Sequence, residues 1–185
     1  MMNDKQLRRV IASLSLLAKT GDVPIDALGV LSVCPGEKLA DHLHQKWLSD
    51  ESFYRLPAII LEHLHKYNVF KMCSISTVQY KQADESDGNL MSCCLMHLLS
   101  DFRARETIRK ASSLMFRNSV KVLTELYAVY RRIDEVLSEC LIVPVFASLQ
   151  MLAEKEASEE DVQVWIIMLL DPENLLCPVT MKLLG

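Results

Sequence analysis

The chain has 185 residues, half of them hydrophobic and 24% charged, a balance that fits one globular domain with a real core. Its net charge of −4 and pI near 5.7 exclude an overall electrostatic drive toward nucleic acid or acidic membranes. Five glycines are few where average usage gives roughly thirteen; β-rich folds and glycine-cradled phosphate sites both need that residue, so the shortage counts against each.

Taken in chain order, Leu7, Val10, Ile11, Leu14 and Leu17 recur at helical spacing and predict a first helix over 3–19. Thr20-Gly21-Asp22 ends it, and Pro24 opens a short helix over 25–31. After Cys34-Pro35-Gly36, a helix over 37–48 carries Leu39, Leu43 and Trp47 on one side. Ser49-Asp50 separates it from a helix over 51–67 with Phe53, Leu56, Ile60 and Leu64 inward; Pro57 either kinks that helix or marks its true start. So short a turn makes the pair antiparallel. Residues 68–77 suit a helical extension or a packed loop, and the polar run 79–89 reads as an exposed connection.

A helix over 90–100 follows, and then a long one over 103–132. The long segment has two apolar rows, one through Ile108, Met115, Val122, Leu126 and Val129, the other through Phe116, Val120, Leu123, Tyr127 and Tyr130. A helix apolar on two sides is sandwiched between neighbours. Asp134 caps the next helix, which runs past Leu137, Leu141, Val145, Leu149 and Leu152 with a kink expected at Pro144. Ser158-Glu159-Glu160-Asp161 is a capping signal for a helix over 159–170, and Pro172 opens a last helix over 172–183. Eight or nine helices with short turns and no strand predict an all-α fold of stacked antiparallel hairpins, a HEAT/armadillo-like superhelix forming a single helical-repeat domain over 1–185.

The chemistry-bearing residues point to binding rather than catalysis. His42/His44 and His63/His65 are each two apart, which a helix sets about 200° apart, so neither pair chelates one ion. Cys94 and His97 share a helix face, but a nucleophile–base pair also needs an orienting group and an oxyanion hole. P-loop, Rossmann, nucleophile-elbow and HExxH patterns are absent. No catalytic residue, cofactor or metal is therefore expected. The six cysteines form no C-x-x-C and read as mostly buried thiols in a reducing compartment, the cytoplasm or the nucleus. The N-terminus turns polar at Asn3, and the longest apolar run, Val164 to Leu170, falls short of the roughly 20 residues of a membrane span.

The feature with most content is basic. Arg103, Lys110, Arg117 and Lys121 recur at spacings of seven and four, with Arg105 and Arg109 beside them, a row suited to RNA phosphates or an acidic partner segment. The alternative is a solvated face with Glu106 pairing to Lys110. Exposed aromatics for stacking bases are not evident. The acidic run Glu154, Glu156, Glu159, Glu160 and Asp161 is explained by a turn and a helix cap.

The stretches GEKLADHLHQKWLSDESFYRLPAIILEHL, LLSDFRARETIRKASSLMFRNSVKVLTELYAVYRR and LSECLIVPVFASLQMLAEKEASEEDVQVWIIMLL resemble the middle domain of eukaryotic translation initiation factor 4G, in its small stand-alone versions. The resemblance covers about three quarters of the chain and implies a crescent of HEAT-like hairpins that scaffolds translation or messenger RNA factors. Its implied partners are initiation factors, RNA helicases, RNA-end-binding proteins and sometimes RNA itself. The other readings are a HEAT- or armadillo-like module in signalling or complex assembly, and an all-α enzyme using Cys93, Cys94 and His97 or a metal. Homo-oligomerisation through an apolar end such as Leu175, Leu176, Val179 and Leu183-Leu184 also fits a solenoid.

Overall fold

A computed structural model describes residues 3–20, 23, 28–74, 86–154 and 156–170. Among them the chain is all-helical, with no strand. The helices are α1 (Asp4–Thr20), α2 (Gly36–Trp47), α3 (Leu56–Ser74), α4 (Ser86–Arg103), α5 (Arg105–Ala111), α6 (Ser113–Ile133), α7 (Glu135–Leu152) and α8 (Glu159–Leu170). Short 3-10 turns occupy Val30–Val33 and Glu51–Phe53. The expected helix over 172–183 and most of the connection over 79–89 lie outside the described residues. Packing divides the chain into two compact units, Met1–His97 and Leu98–Gly185.

In the first unit, α1 begins with a reciprocal cap that the sequence reading did not identify: Asn3 Oδ1 accepts from the Gln6 amide at 2.9 Å, and Gln6 Oε1 from the Asn3 amide at 3.0 Å. Each bond satisfies an N–H that the helix leaves unpaired. The apolar stripe of α1 faces α2 and α3, and the turn at Glu51–Phe53 packs against α1 and α2. Leu7, Ile11, Leu14, Leu39, Leu43, Trp47, Phe53, Leu56 and Ile60 are sealed from solvent. Pro57 stands in the first turn of α3 and so marks that helix's start, where a missing N–H costs nothing. Asp50 turns the chain ahead of it by accepting from the Ser52 amide at 3.1 Å and the Ser52 hydroxyl at 2.6 Å. Those bonds hold its carboxyl below the ordinary range.

The second unit is built on α6. The long segment expected over 103–132 is three helices, broken at Ala104 and Ser112. Ser112 is extended (φ −162°, ψ 113°), and its hydroxyl accepts from the Met115 amide at 3.3 Å, the competition with helical backbone that makes serine an N-cap. Beyond that cap the two apolar rows converge. Every residue from Asn118 to Tyr130 is buried except Glu125, which is half-buried. α5, α7 and α8 all pack on α6, and α7 packs on α8. The buried hydroxyls on α6 bond locally, Ser119 to the Phe116 carbonyl at 2.8 Å and Thr124 to the Val120 carbonyl at 2.9 Å. Asp134 accepts from the Leu137 amide at 3.0 Å to start α7, which continues through Pro144.

α8 docks through charge as well as apolar contact. The Ser158 hydroxyl accepts from the Asp161 amide at 3.2 Å, and Asp161 Oδ2 accepts from the Ser158 amide at 3.2 Å, the reciprocal cap expected from that sequence. The other oxygen, Oδ1, takes a bond from Arg117 Nη1 at 3.0 Å, with the two side chains only 15% and 6% exposed. Removing one member of such a pair strands a buried charge. Asp161→Asn is therefore expected to cost about 3 kcal/mol in urea unfolding of the full chain, and Arg117→Met with Asp161→Leu together to recover most of the loss. Unchanged stability in the single variant would show that the pair does not hold α8.

Candidate functional site

α5 is seven residues long and buries none of its side chains fully. Its Arg105 and Arg109 lie four apart on one face. With Glu106 and Lys110 they form one wall of a groove of about 480 Å³; Ala147, Gln150 and Met151 of α7 and Glu154 just beyond it form the other. Arg109 bridges the walls, Nη1 donating to Glu154 Oε2 at 2.7 Å, and its guanidinium lies 5.6 Å from the centre of the Phe116 ring. Arg105 is held from behind: its guanidinium stacks 4.3 Å over Phe102, and Nη1 donates to the Phe102 carbonyl at 3.0 Å. Its Nε is buried without an acceptor among the described residues. Lys110 is exposed at the rim.

The six basic residues singled out from the sequence thus fall on three helices rather than along one. Arg105, Arg109 and Lys110 meet in the groove. Arg103 is exposed at the end of α4 and is not part of the groove lining. Arg117 is committed to Asp161, and Lys121 is 7% exposed within α6. The last two are therefore withdrawn from any solvent-facing row, because α6 is enclosed where they stand. The opposite wall went unrecognised: Ala147, Gln150 and Met151 carry no motif, and Glu154 reads from sequence as an ordinary turn residue. The groove offers guanidinium and ammonium donors for carboxylate or phosphate, an amide that both donates and accepts, and a small apolar floor. Among the described residues its lining has no aromatic ring, thiol, imidazole or hydroxyl.

A second polar cluster lies in the first unit. His97 Nε2 and Asp41 Oδ1 are 3.0 Å apart. The His44 ring stacks on His97 with centroids 4.2 Å apart, and Trp47 meets both rings edge-on. The helical spacing that separates His42 from His44 sends His42 elsewhere, with both ring nitrogens buried and lacking a hydrogen-bond partner among the described residues. Cys94 is sealed, and burial pushes its thiol up to about 12. His97 therefore faces a carboxylate, and its neighbour in sequence supplies no thiolate. Burial, then Glu37 and Asp41, also raise the Cys93 thiol. Among the described residues no group of three His, Cys, Asp or Glu side chains is arranged to hold a metal ion.

These features define an all-α protein whose second helical unit carries a cation-lined groove. Comparison with models of protein families, with curated proteins and with solved structures finds no match.

The thiol environments make a direct prediction. A raised pKa means less thiolate at neutral pH. Cys140 is exposed, whereas Cys34 and Cys94 are buried with thiols pushed up by that burial. Alkylation of the native chain at neutral pH, mapped by peptide mass spectrometry, should modify Cys140 well before Cys34 or Cys94. Early modification of Cys94 would contradict its burial.

Proposed function

We propose that this protein is a non-catalytic adaptor that binds an anionic segment of a protein partner in the groove between α5 and α7. The observation that carries the reading is the convergence of Arg105, Arg109 and Lys110 on one concavity, with Arg105 pre-positioned by Phe102. A guanidinium held in place before binding loses little freedom when it grips a carboxylate. Among the described residues the lining has none of the aromatic platforms on which single-stranded bases stack, and we therefore favour a peptide over RNA. α6, α7 and α8 follow one another through short turns and pack together, which is compatible with the hairpin layers from which a HEAT-like superhelix is stacked, and we read the chain as one. We read the adaptor as acting in messenger RNA translation or metabolism, in keeping with the resemblance to the middle domain of initiation factor 4G, and in the cytosol or nucleus, in keeping with its cysteine usage. A role in signalling or complex assembly uses the same groove with different partners.

Capture of partners by the full chain from cytoplasmic extract, compared between wild type and Arg105→Glu/Lys110→Glu, tests this. Translation and messenger RNA factors should be recovered by the wild type, should be lost from the double variant, and should weaken as salt is raised. Capture indifferent to both changes would remove the groove as the binding surface. Recovery that depends on added single-stranded RNA, with a steep salt slope, would move the ligand from protein to RNA. A groove-dependent set of signalling proteins would retain the adaptor and relocate its pathway.

A further inference from the structure

The three cations of the groove between α5 and α7 are not equivalent. Among the described residues, neither Arg105 nor Lys110 is paired with a carboxylate. Arg109 is, and its partner comes from the opposite wall, with Glu154 Oε2 at 2.7 Å from Nη1. The Arg109 side chain is largely covered, at 21% exposed, whereas that of Glu154 stands open to solvent at 53%. The carboxylate is therefore the member of the pair that can leave.

Its position in the chain lets it do so. α7 ends at Leu152 with Ala153 as its cap, and Glu154 lies beyond, its backbone carbonyl accepting from the Ala157 amide at 2.9 Å. The side chain can swing into water while helix and turn keep their bonds. An ion pair this open to solvent holds weakly.

Charge decides what replaces it. The three cations face two carboxylates, Glu106 and Glu154, so the groove carries one positive charge as it stands. Exchanging Glu154 for one carboxylate of a partner leaves that balance where it was. A phosphate monoester carries about −1.5 to −2 at neutral pH and has three acceptor oxygens. Put in the place of Glu154, it brings the groove close to neutrality and has an oxygen for each of Arg105, Arg109 and Lys110. α5 sets the two arginines one turn apart on one face, and stacking on Phe102 holds the Arg105 guanidinium ahead of binding.

We infer that the groove takes a phosphorylated segment of a partner protein, its phosphate replacing the Glu154 carboxylate on Arg109. Glu154 is then a placeholder that holds the site against weaker anions. The inference rests on the reading of the groove as the adaptor's binding surface and narrows its ligand. A competitor inside the site lowers the affinity of every incoming anion by the same factor, so Glu154 does not choose among them. It sets a threshold, and phosphate passes it through its second charge.

NMR titration of the full chain, followed at the arginine Nε–Hε signals, supplies the test. The probes are short Gly/Ser peptides with phosphoserine, glutamate or serine at the centre. The phosphopeptide should bind on the order of ten-fold tighter than the glutamate peptide and shift the Arg105 and Arg109 signals, while the serine peptide shifts neither. Glu154→Gln, and Glu154→Ala likewise, should tighten both anionic peptides by the same factor, about two- to five-fold. Arg105→Gln with Lys110→Gln should remove the preference for phosphate. Equal affinity for phosphoserine and glutamate would overturn the phosphate assignment and leave the adaptor reading standing. Unchanged or weaker binding in both Glu154 variants would overturn the placeholder. A single-stranded oligoribonucleotide that shifts both arginines at lower concentration than the phosphopeptide would assign the groove to RNA instead. Arginine signals that answer to neither anionic peptide, in wild type and Glu154→Gln alike, would sink the groove as a binding surface and this inference with it.

Discussion

The second unit depends on α6 being enclosed around its whole circumference. Apolar burial contributes of the order of 1.5–3 kcal/mol for each large side chain removed from water, and along α6 Phe116, Val120, Val122, Leu123, Leu126, Tyr127, Val129 and Tyr130 are all buried. No single neighbour can cover a helix on every side. α7 and α8 share the cover with α5, and what each turns away from α6 remains outside. α7 and α8 cover much of α6 and keep outer faces of their own. α5, short and without a buried residue, adds little to the core. It holds its cations beside the end of α7.

Enclosure also imposes a cost that the unit offsets locally. Asn118, Ser119, Lys121 and Thr124 are carried inside with the apolar residues. The hydroxyls of Ser119 and Thr124 return to backbone carbonyls one turn back, which satisfies them without a partner helix. Arg117 cannot be satisfied that way and meets Asp161 instead. Asp161 is at the same time the third residue of a helical cap. Its carboxylate thus fixes both where α8 begins and where α8 sits against α6. A buried ion pair adds little net stability beside a well-packed apolar pair. Its contribution here is register, since a sliding α8 would strand both charges.

Most of the helices were legible in the sequence because amphipathic periodicity and caps act locally. The stripe of α1, the start of α3 at Pro57, the caps at Asp134 and Ser158 and the two-sided greasiness of α6 could all be read from spacing. The breaks at Ala104 and Ser112 were not, since nothing in the apolar rows changes there; a serine hydroxyl took the place of one backbone carbonyl. The same continuity misled the reading of charge. Arg103, Lys110, Arg117 and Lys121 form a row only on an unbroken helix. Once the helix divides, the buried half keeps Arg117 and Lys121 for internal use and the short half presents Arg105, Arg109 and Lys110. The far wall of the groove depends on a tertiary contact, Arg109 with Glu154 across 45 positions, and sequence spacing carries no trace of such a contact.

α7 is where the structural and functional demands on this unit separate. One side must be apolar to close over α6, and Leu141, Val145, Leu149 and Leu152 do so. That demand does not explain Val136, Cys140 and Val143 on the opposite side, where solvent would accept polar residues at no cost to the core. Val136 and Val143 are exposed there with Cys140 between them, an apolar strip turned away from α6.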